Sequence, residues 1–442
     1  MNLSVYPAAT LQGELRPPSD KSLTHRGYML GAIAAGPSVM RNPLRSEDCQ
    51  ATLECLQAMG LTVSWTGSSE VTLLPAGAWR SPARALDCGN SGTTMRLMSG
   101  LIAGRNIEAT LTGDESLQRR PMDRIGKPLR MMGAKFDGSR PPIQIRGSDR
   151  LQGIRYETPV PSAQIKSCVL FAGLTAEGET TVFETTLSRD HTERMLRAMG
   201  VSVISSGGSE SVDLSAPITH AFGHEVRLNP PSRLEPFEFT VPADISSAAF
   251  FMVAAAILPE GAVTLRQVSV NPSRTGILDV FEQAGVGVSL GNESLELGEP
   301  LADIEVRSSV DRLRPFTIEG AIVPRLIDEI PVLAVLATQC YGTSQIRDAA
   351  EMRVKESDRI ELIAQGLRDM GATVETQPDG LTVTGPTRLT GATIDCKGDH
   401  RIAMAFAVAG LAAQGETVIE GAECIATSFP NFQSELERLV IV

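Results

Sequence analysis

The sequence predicts an α/β (α+β) chain of six repeated units in two domains, and two interleaved patterns carry that prediction. The first is a helix ending: LQAMG (56–60), LRMMG (129–133), LRAMG (196–200), FEQAG (281–285) and LRDMG (367–371), with a weaker copy, LERLV, at 436–440. Alternating residues follow, as in VSVIS (201–205). Each copy predicts a helix closed by a glycine in the left-handed region, then a short strand. The second pattern is an alanine-rich stretch, a glycine turn and a strand. It recurs at 29–41, 97–111, 169–183, 250–265, 332–346 and 406–419. Small residues let helices approach closely, so these six helices are expected to be buried. Each unit reads strand–helix–strand–helix–strand, with room for one more strand. One unit buries too little alone, so the six group most simply as three and three, with crossovers near PSDKS (18–22) and FTVPAD (239–244).

The chain has 442 residues, which suits two large domains or about three ordinary ones. Hydrophobic residues make up 42% and charged residues 21%, the balance of a globular chain rather than a disordered one. The longest apolar run, 248–258, is well short of the ~18 residues a membrane span needs. A net charge of −12 with no dense basic stripe argues against a nucleic-acid binder, and two Trp and four Tyr offer little for base stacking. The seven cysteines are odd in number and form no C-x-x-C, so a reducing, cytoplasmic location without structural disulfides is expected. The N-terminus carries no secretory pattern. His220 and His224 could share a helix face, but Gly223 and the want of a third ligand favour a surface turn; no metal site is expected.

The starts of the alanine-rich helices hold the chemistry. They are RPPSDKSLTHR (16–26), DCGNSGTTMR (87–96), VPSAQIKSC (160–168), VPADISSAAF (241–250), PRLIDEIPVL (324–333) and CKGDHRIAMAF (396–406). All contain N-capping residues, and for ADISS capping is the whole expectation. The others add Lys, Arg, His and Gln. A helix N-terminus attracts anions through unpaired N–H groups and the helix dipole. If such ends converge, Lys21, Arg26, Lys166 and Arg401 form a cationic cleft in an acidic protein, suited to a small, multiply charged substrate. DKS lacks the glycines of a phosphate-binding P-loop, and GNSGTT (89–94) alone is a weak signal. Three further segments are densely charged: SLQRRPMDR (116–124), TLSRDHTERML (186–196) and RVKESDRI (353–360), where Lys355 and Arg359 would share a face if helical.

In these segments the chain closely resembles the 5-enolpyruvylshikimate-3-phosphate (EPSP) synthases. PSDKSLTHR, GNSGTTMRL, RRPM, PSAQIKS, SRDHTE, NPSRTGIL, IDEIPVLA, RVKESDR, GDHRIAM and ATSFP occur in family order from residue 18 to 430. The resemblance implies two domains of three βαβαββ repeats each, the inside-out barrel of enolpyruvyl transferases, with the active site in the interdomain cleft. It places residues 1–19 with 240–442 in one domain and 20–239 in the other. It implies transfer of the enolpyruvyl group of phosphoenolpyruvate to the 5-hydroxyl of shikimate 3-phosphate, with no cofactor and no metal, by a monomer.

The resemblance also implies roles. Lys21 touches both substrates and belongs with the catalytic groups. Ser22, Arg26, Ser162, Ala163, Gln164, Ser188, Arg189 and Lys355 surround shikimate 3-phosphate. Arg120, Arg359 and Arg401 clamp phosphoenolpyruvate, aided by Asn90, Gly92, Thr93, Gln164 and His400. Asp328 is the expected base for the 5-hydroxyl and a partner of the ring, and Glu356 the expected proton shuttle at C3. Thr427, Glu351 and Ala163 stand where the better-known branch has Lys, Asn and Ser, and so resemble a second branch that includes glyphosate-tolerant members. Gly92 stands where a tolerant member has Ala, which points toward sensitivity. A related family acting on UDP-N-acetylglucosamine uses a loop cysteine, and 108–124 contains none. A non-catalytic repeat scaffold is the remaining alternative; against it, the charges gather at helix starts instead of along one face.

Overall fold

The computed structural model describes residues 1–206 and 223–441. His220 lies outside the described residues. His224 opens the strand His224–Leu228 and is buried, not on a surface turn as expected.

The chain forms two compact units. One comprises Met1–Pro18, Ala243–Ser294 and Leu301–Val442; the other comprises Ser19–Pro242 and Leu295–Pro300. Each repeat follows the same logic. In the third repeat of the Ser19–Pro242 unit, strand Arg155–Glu157 leads into helix Ala163–Gly173, strand Thr180–Glu184, helix His191–Ala198 and strands Val203–Ser206 and His224–Leu228. The first two strands pair in parallel, with Arg155 opposite Thr181, and the rest of the sheet is antiparallel. The same order recurs in sheets Leu86–Asp87, Glu108–Thr112, Ile143–Arg146, Lys135–Asp137 and Thr317–Ile318, Gly342–Ile346, Gly380–Gly385, Thr373–Gln377.

The six expected helices are Lys21–Gly31, Gly92–Ala103, Ala163–Gly173, Ile245–Ile257, Ile330–Thr338 and His400–Leu411. They are the buried ones: every residue of Ile245–Ile257, Ile330–Thr338 and His400–Leu411 is inaccessible or nearly so. Small residues permit this. A Cβ on Gly100 would stand 2.1 Å from the carbonyl oxygen of Cys168, so the helices Gly92–Ala103 and Ala163–Gly173 touch backbone to backbone only because that side chain is absent. Glycines 60, 133, 200, 285 and 371, which end the second helix of a repeat, all have positive φ.

The segment Leu295–Pro300 joins two strands of one unit but folds with the other. Glu296 accepts from the Thr240 backbone N–H at 3.2 Å, and Glu299 Oε1 lies 2.8 Å from His191 Nδ1, with both side chains fully buried.

Candidate active site

In the Ser19–Pro242 unit three helix starts supply the polar groups. Asp20, Ser91 and Ser162 cap them, accepting from the backbone N–H of Leu23, Thr94 and Ile165. Each cap leaves the next residues at the positive end of the helix dipole. Lys21 Nζ donates to Asp48 Oδ2 at 3.0 Å. Gln164 is fixed from both sides, because Arg96 Nη1 donates to its Oε1 at 2.6 Å and its Nε2 donates to Thr93 Oγ1 at 3.0 Å. Asn90 is held likewise: its Nδ2 donates to Asp114 at 2.6 Å, and its Oδ1 accepts from Arg120 Nη2 at 2.8 Å. A Cβ on Gly92 would lie 2.9 Å from Arg96 Nη1 and 3.3 Å from Arg120 Nη1. Two guanidinium groups therefore converge on a bare backbone, an arrangement that suits a phosphate or carboxylate.

Arg26 is buried and committed inward. Its Nε donates to Thr192 Oγ1 at 2.8 Å, Nη1 to the Ser22 carbonyl at 3.0 Å and Nη2 to Ser167 Oγ at 2.9 Å. Burial pulls this guanidinium down to about 10, with the charge of Glu193 opposing. Ser22, Ala163 and Arg189 are half-buried on the same unit.

Lys166 departs from expectation. It does not line a cationic cleft but is fully buried, 2.8 Å from Glu184 Oε2 and 2.9 Å from Glu193 Oε1. The reason is charge balance: a buried ammonium needs carboxylates, and two are supplied. Burial opposes the charged form, yet Glu184 and Glu193 outweigh it and raise the Lys166 pKa. Burial raises Glu193 despite Lys166. Glu184 also accepts from the Ser162 N–H (3.1 Å), the Ser188 N–H (3.3 Å) and Ser188 Oγ (2.6 Å).

In the other unit Asp328 stands just ahead of helix Ile330–Thr338, and its Oδ1 is ringed by cations: Arg359 Nη1 at 3.2 Å, Lys355 Nζ at 3.5 Å and Arg401 Nε at 3.8 Å. Arg401 Nη1 also donates to the Asp328 carbonyl at 3.3 Å. Lys355 and Arg359 are not on one helical face. Lys355 follows the 3₁₀ turn Ala350–Val354, helix Arg359–Asp369 begins four residues later, and the two cations meet on Asp328 instead. Arg359 Nη2 donates to Glu356 at 2.6 Å and Nε to Asp399 Oδ2 at 2.8 Å. Burial disfavours the Arg359 charge, but Asp399, Glu356 and Asp328 overcome it and raise its pKa. Burial opposes the Asp399 charge most strongly, but the charge and hydrogen bond of Arg359, together with His400, lower its pKa overall. Asp399 caps helix His400–Leu411 through the Arg401 N–H and accepts from Ser357 Oγ at 2.8 Å. His400 is buried at the first turn of that helix. At ADISS, Asp244 does cap Ser246, but its Oδ1 also accepts from the buried Arg274 at 3.1 Å.

The structure thus gathers Asn90, Gly92, Thr93, Arg120 and Gln164 in one unit and Asp328, Lys355, Glu356, Arg359 and Arg401 in the other. Sequence reasoning missed Arg96, Asp48, Glu184 and Asp399. Arg96 and Asp399 lie inside motifs already singled out, GNSGTTMRL and GDHRIAM. Asp48 and Glu184 carry no local signal. Among the described residues no cluster of three or more His, Cys, Asp or Glu is placed to hold a metal ion, and no helix is long and apolar enough to cross a membrane.

A profile of the EPSP synthase (3-phosphoshikimate 1-carboxyvinyltransferase) family matches residues 5–436. A protein of Desulforamulus reducens named 3-phosphoshikimate 1-carboxyvinyltransferase is 45% identical, with all of both chains covered. One of the same name from Desulforudis audaxviator is 48% identical over 99% of each chain. The EPSP synthase of Acinetobacter baumannii superposes with a TM-score of 0.86 at 40% identity, covering 100% of this chain and 98% of that one. The enolpyruvyl transferase NikO of Streptomyces tendae, at 18% identity and a TM-score of 0.75 over 99% and 96% of the chains, shares the fold. By motif order, fold and full-length identity, the chain belongs to the EPSP synthase family.

Proposed function

We propose that this chain transfers the enolpyruvyl group of phosphoenolpyruvate to the 5-hydroxyl of shikimate 3-phosphate, releasing phosphate. C3 of phosphoenolpyruvate gains a proton while the hydroxyl oxygen bonds to C2. The tetrahedral intermediate then loses a proton from C3 and phosphate from C2. Asp328 takes the hydroxyl proton, and Glu356 delivers and recovers the proton at C3. Arg120, Arg359 and Arg401 hold the phosphoenolpyruvate anion. Lys21 faces both substrates, and Ser22, Arg26, Ser162, Gln164, Ser188, Arg189 and Lys355 hold shikimate 3-phosphate.

The observation that carries this reading is that Arg359 pairs with both Asp328 and Glu356. An incoming anion competes for the same guanidinium. Its binding draws Arg359 away from the two carboxylates that serve as base and acid, so substrate capture readies the proton transfers. The enzyme works as a cytoplasmic monomer, since the paired substrates give no reason for a second copy.

The test is phosphate release from phosphoenolpyruvate with either shikimate 3-phosphate or UDP-N-acetylglucosamine as acceptor. Release should need shikimate 3-phosphate and fall at least ~100-fold in Asp328→Ala and Glu356→Ala, the scale of general acid–base groups. Release only with the nucleotide sugar would sink the assignment.

A further inference from the structure

Of the seven cysteines, Cys49, Cys55, Cys88, Cys168 and Cys340 are buried, while Cys396 and Cys424 lie sulfur to sulfur, 3.7 Å apart. Cys396 is buried and Cys424 half-buried, the most accessible residue of the seven. Their backbones are already tied. The Cys396 N–H donates to the Glu420 carbonyl at 3.4 Å, and the Cys424 N–H to Gly421 at 3.3 Å. A disulfide requires an S–S distance of about 2.05 Å, so closing this pair draws the two residues together from a 3.7 Å sulfur separation.

We propose that Cys396 and Cys424 form a modification site, a dithiol that a peroxide closes to a disulfide, and that closure weakens the grip of Arg359 and Arg401 on an anion. The Cys396 thiolate attacks a peroxide oxygen; the O–O bond breaks, leaving a sulfenic acid on Cys396, and the departing hydroxide takes up the proton the thiol had lost and leaves as water. Cys424 then attacks the Cys396 sulfur, the S–O bond breaks, and the Cys424 proton leaves with the hydroxide as a second water. Two thiols are oxidised by two electrons in all and one peroxide is reduced. The surroundings favour this pair over the others. The hydrogen bond from Cys424 draws the Cys396 thiol down to about 7, against burial, whereas burial pushes Cys49 and Cys340 up to about 12.

The link to the anion grip is short. Cys396 enters the turn Lys397–Gly398, both with positive φ, and the next residue is Asp399. That carboxylate caps the helix carrying Arg401 and holds Arg359 Nε. Rotating Cys396 toward Cys424 pulls on this turn. This second half rests on the proposed role of Arg359 and Arg401.

The full-length reduced protein is treated with hydrogen peroxide at a few equivalents, its free thiols are counted, and a non-reducing digest is mapped. The thiol count should fall by two, with one Cys396–Cys424 peptide that dithiothreitol removes. Cys396→Ser and Cys424→Ser should each abolish it, and Cys49→Ser should retain it. An unchanged thiol count, or a different pairing, overturns the proposal. The phosphoenolpyruvate KM, read from phosphate release at saturating shikimate 3-phosphate, should rise about tenfold on oxidation and recover on reduction, the sign of a weakened hold on that anion. A linked protein with unchanged KM overturns the second half. A reduced protein without turnover would count against the reaction, on which the peptide map does not depend.

Discussion

Arg359 is anchored by Asp399: its Nε donates to Oδ2 at 2.8 Å, and both side chains are essentially inaccessible. Asp399 thereby fixes the guanidinium whose two remaining nitrogens face Asp328 and Glu356. The Asp399→Asn variant keeps the shape but removes the charge. Its phosphoenolpyruvate KM is expected to rise at least ~10-fold, the cost of one charged hydrogen bond, with a smaller change for shikimate 3-phosphate. The Asp399 pKa is depressed in the folded protein. Its stabilising contribution is therefore complete above the unfolded carboxylate range of about 4 and is lost as pH falls through the lower folded value. Acid unfolding of wild type and Asp399→Asn should converge below about pH 4; curves that stay parallel would contradict this.

Lys166→Met strands Glu184 without its ammonium. Removing one partner of a buried pair costs roughly 3–5 kcal/mol, so chemical denaturation should show a loss of that order. The Lys166 pKa is raised, so its contribution is full below the unfolded lysine value of about 10 and disappears as pH rises through the folded value. Near pH 7, well below that range, the contribution of the lysine charge should be complete.

Glu184 orients Ser162 and Ser188 through three of their donors. Glu184→Gln cannot accept at all of them. Its shikimate 3-phosphate KM should rise roughly tenfold, equivalent to ~1.4 kcal/mol, while the phosphoenolpyruvate KM holds. Equal rises in both would show that the carboxylate merely supports the fold.

Gly92→Ala tests the paired guanidinium groups. The added methyl meets the ends of flexible side chains, so the fold should survive while Arg96 and Arg120 are pushed apart. The phosphoenolpyruvate KM should increase roughly 3- to 30-fold. Because glycine leaves that space open, glyphosate should inhibit the wild type and inhibit Gly92→Ala less. A wild-type rate unchanged at glyphosate well above the phosphoenolpyruvate KM would refute the sensitivity.

What could be read in advance was what local physics decides. The glycine endings predicted left-handed turns because a single residue sets them, and Gly60, Gly133, Gly200, Gly285 and Gly371 adopt them. The caps at Asp20, Ser91, Ser162 and Asp399 were legible for the same reason. Partnerships across long separations were not. Lys166 looked like a site cation because nothing near it in sequence announces Glu184 and Glu193. Arg96 finds its partner Gln164 on a helix 68 residues away, and Asp48 pairs with Lys21 from a different helix. For Lys355 and Arg359 helical spacing suggested proximity; a non-helical Lys355 achieves it by another route, with Asp328 as the meeting point.

The six residues Leu295–Pro300 make the Ser19–Pro242 unit inseparable from the rest of the gene. A fragment expressed from codons 19 to 242 would keep its three sheets yet lack Glu299, leaving a fully buried imidazole without its carboxylate. Splitting the protein for complementation, or permuting its ends, therefore has to carry this hexapeptide along with the larger piece. The same holds for domain exchange between relatives: a graft that swaps residues 19–242 alone inherits a foreign plug for its own interior.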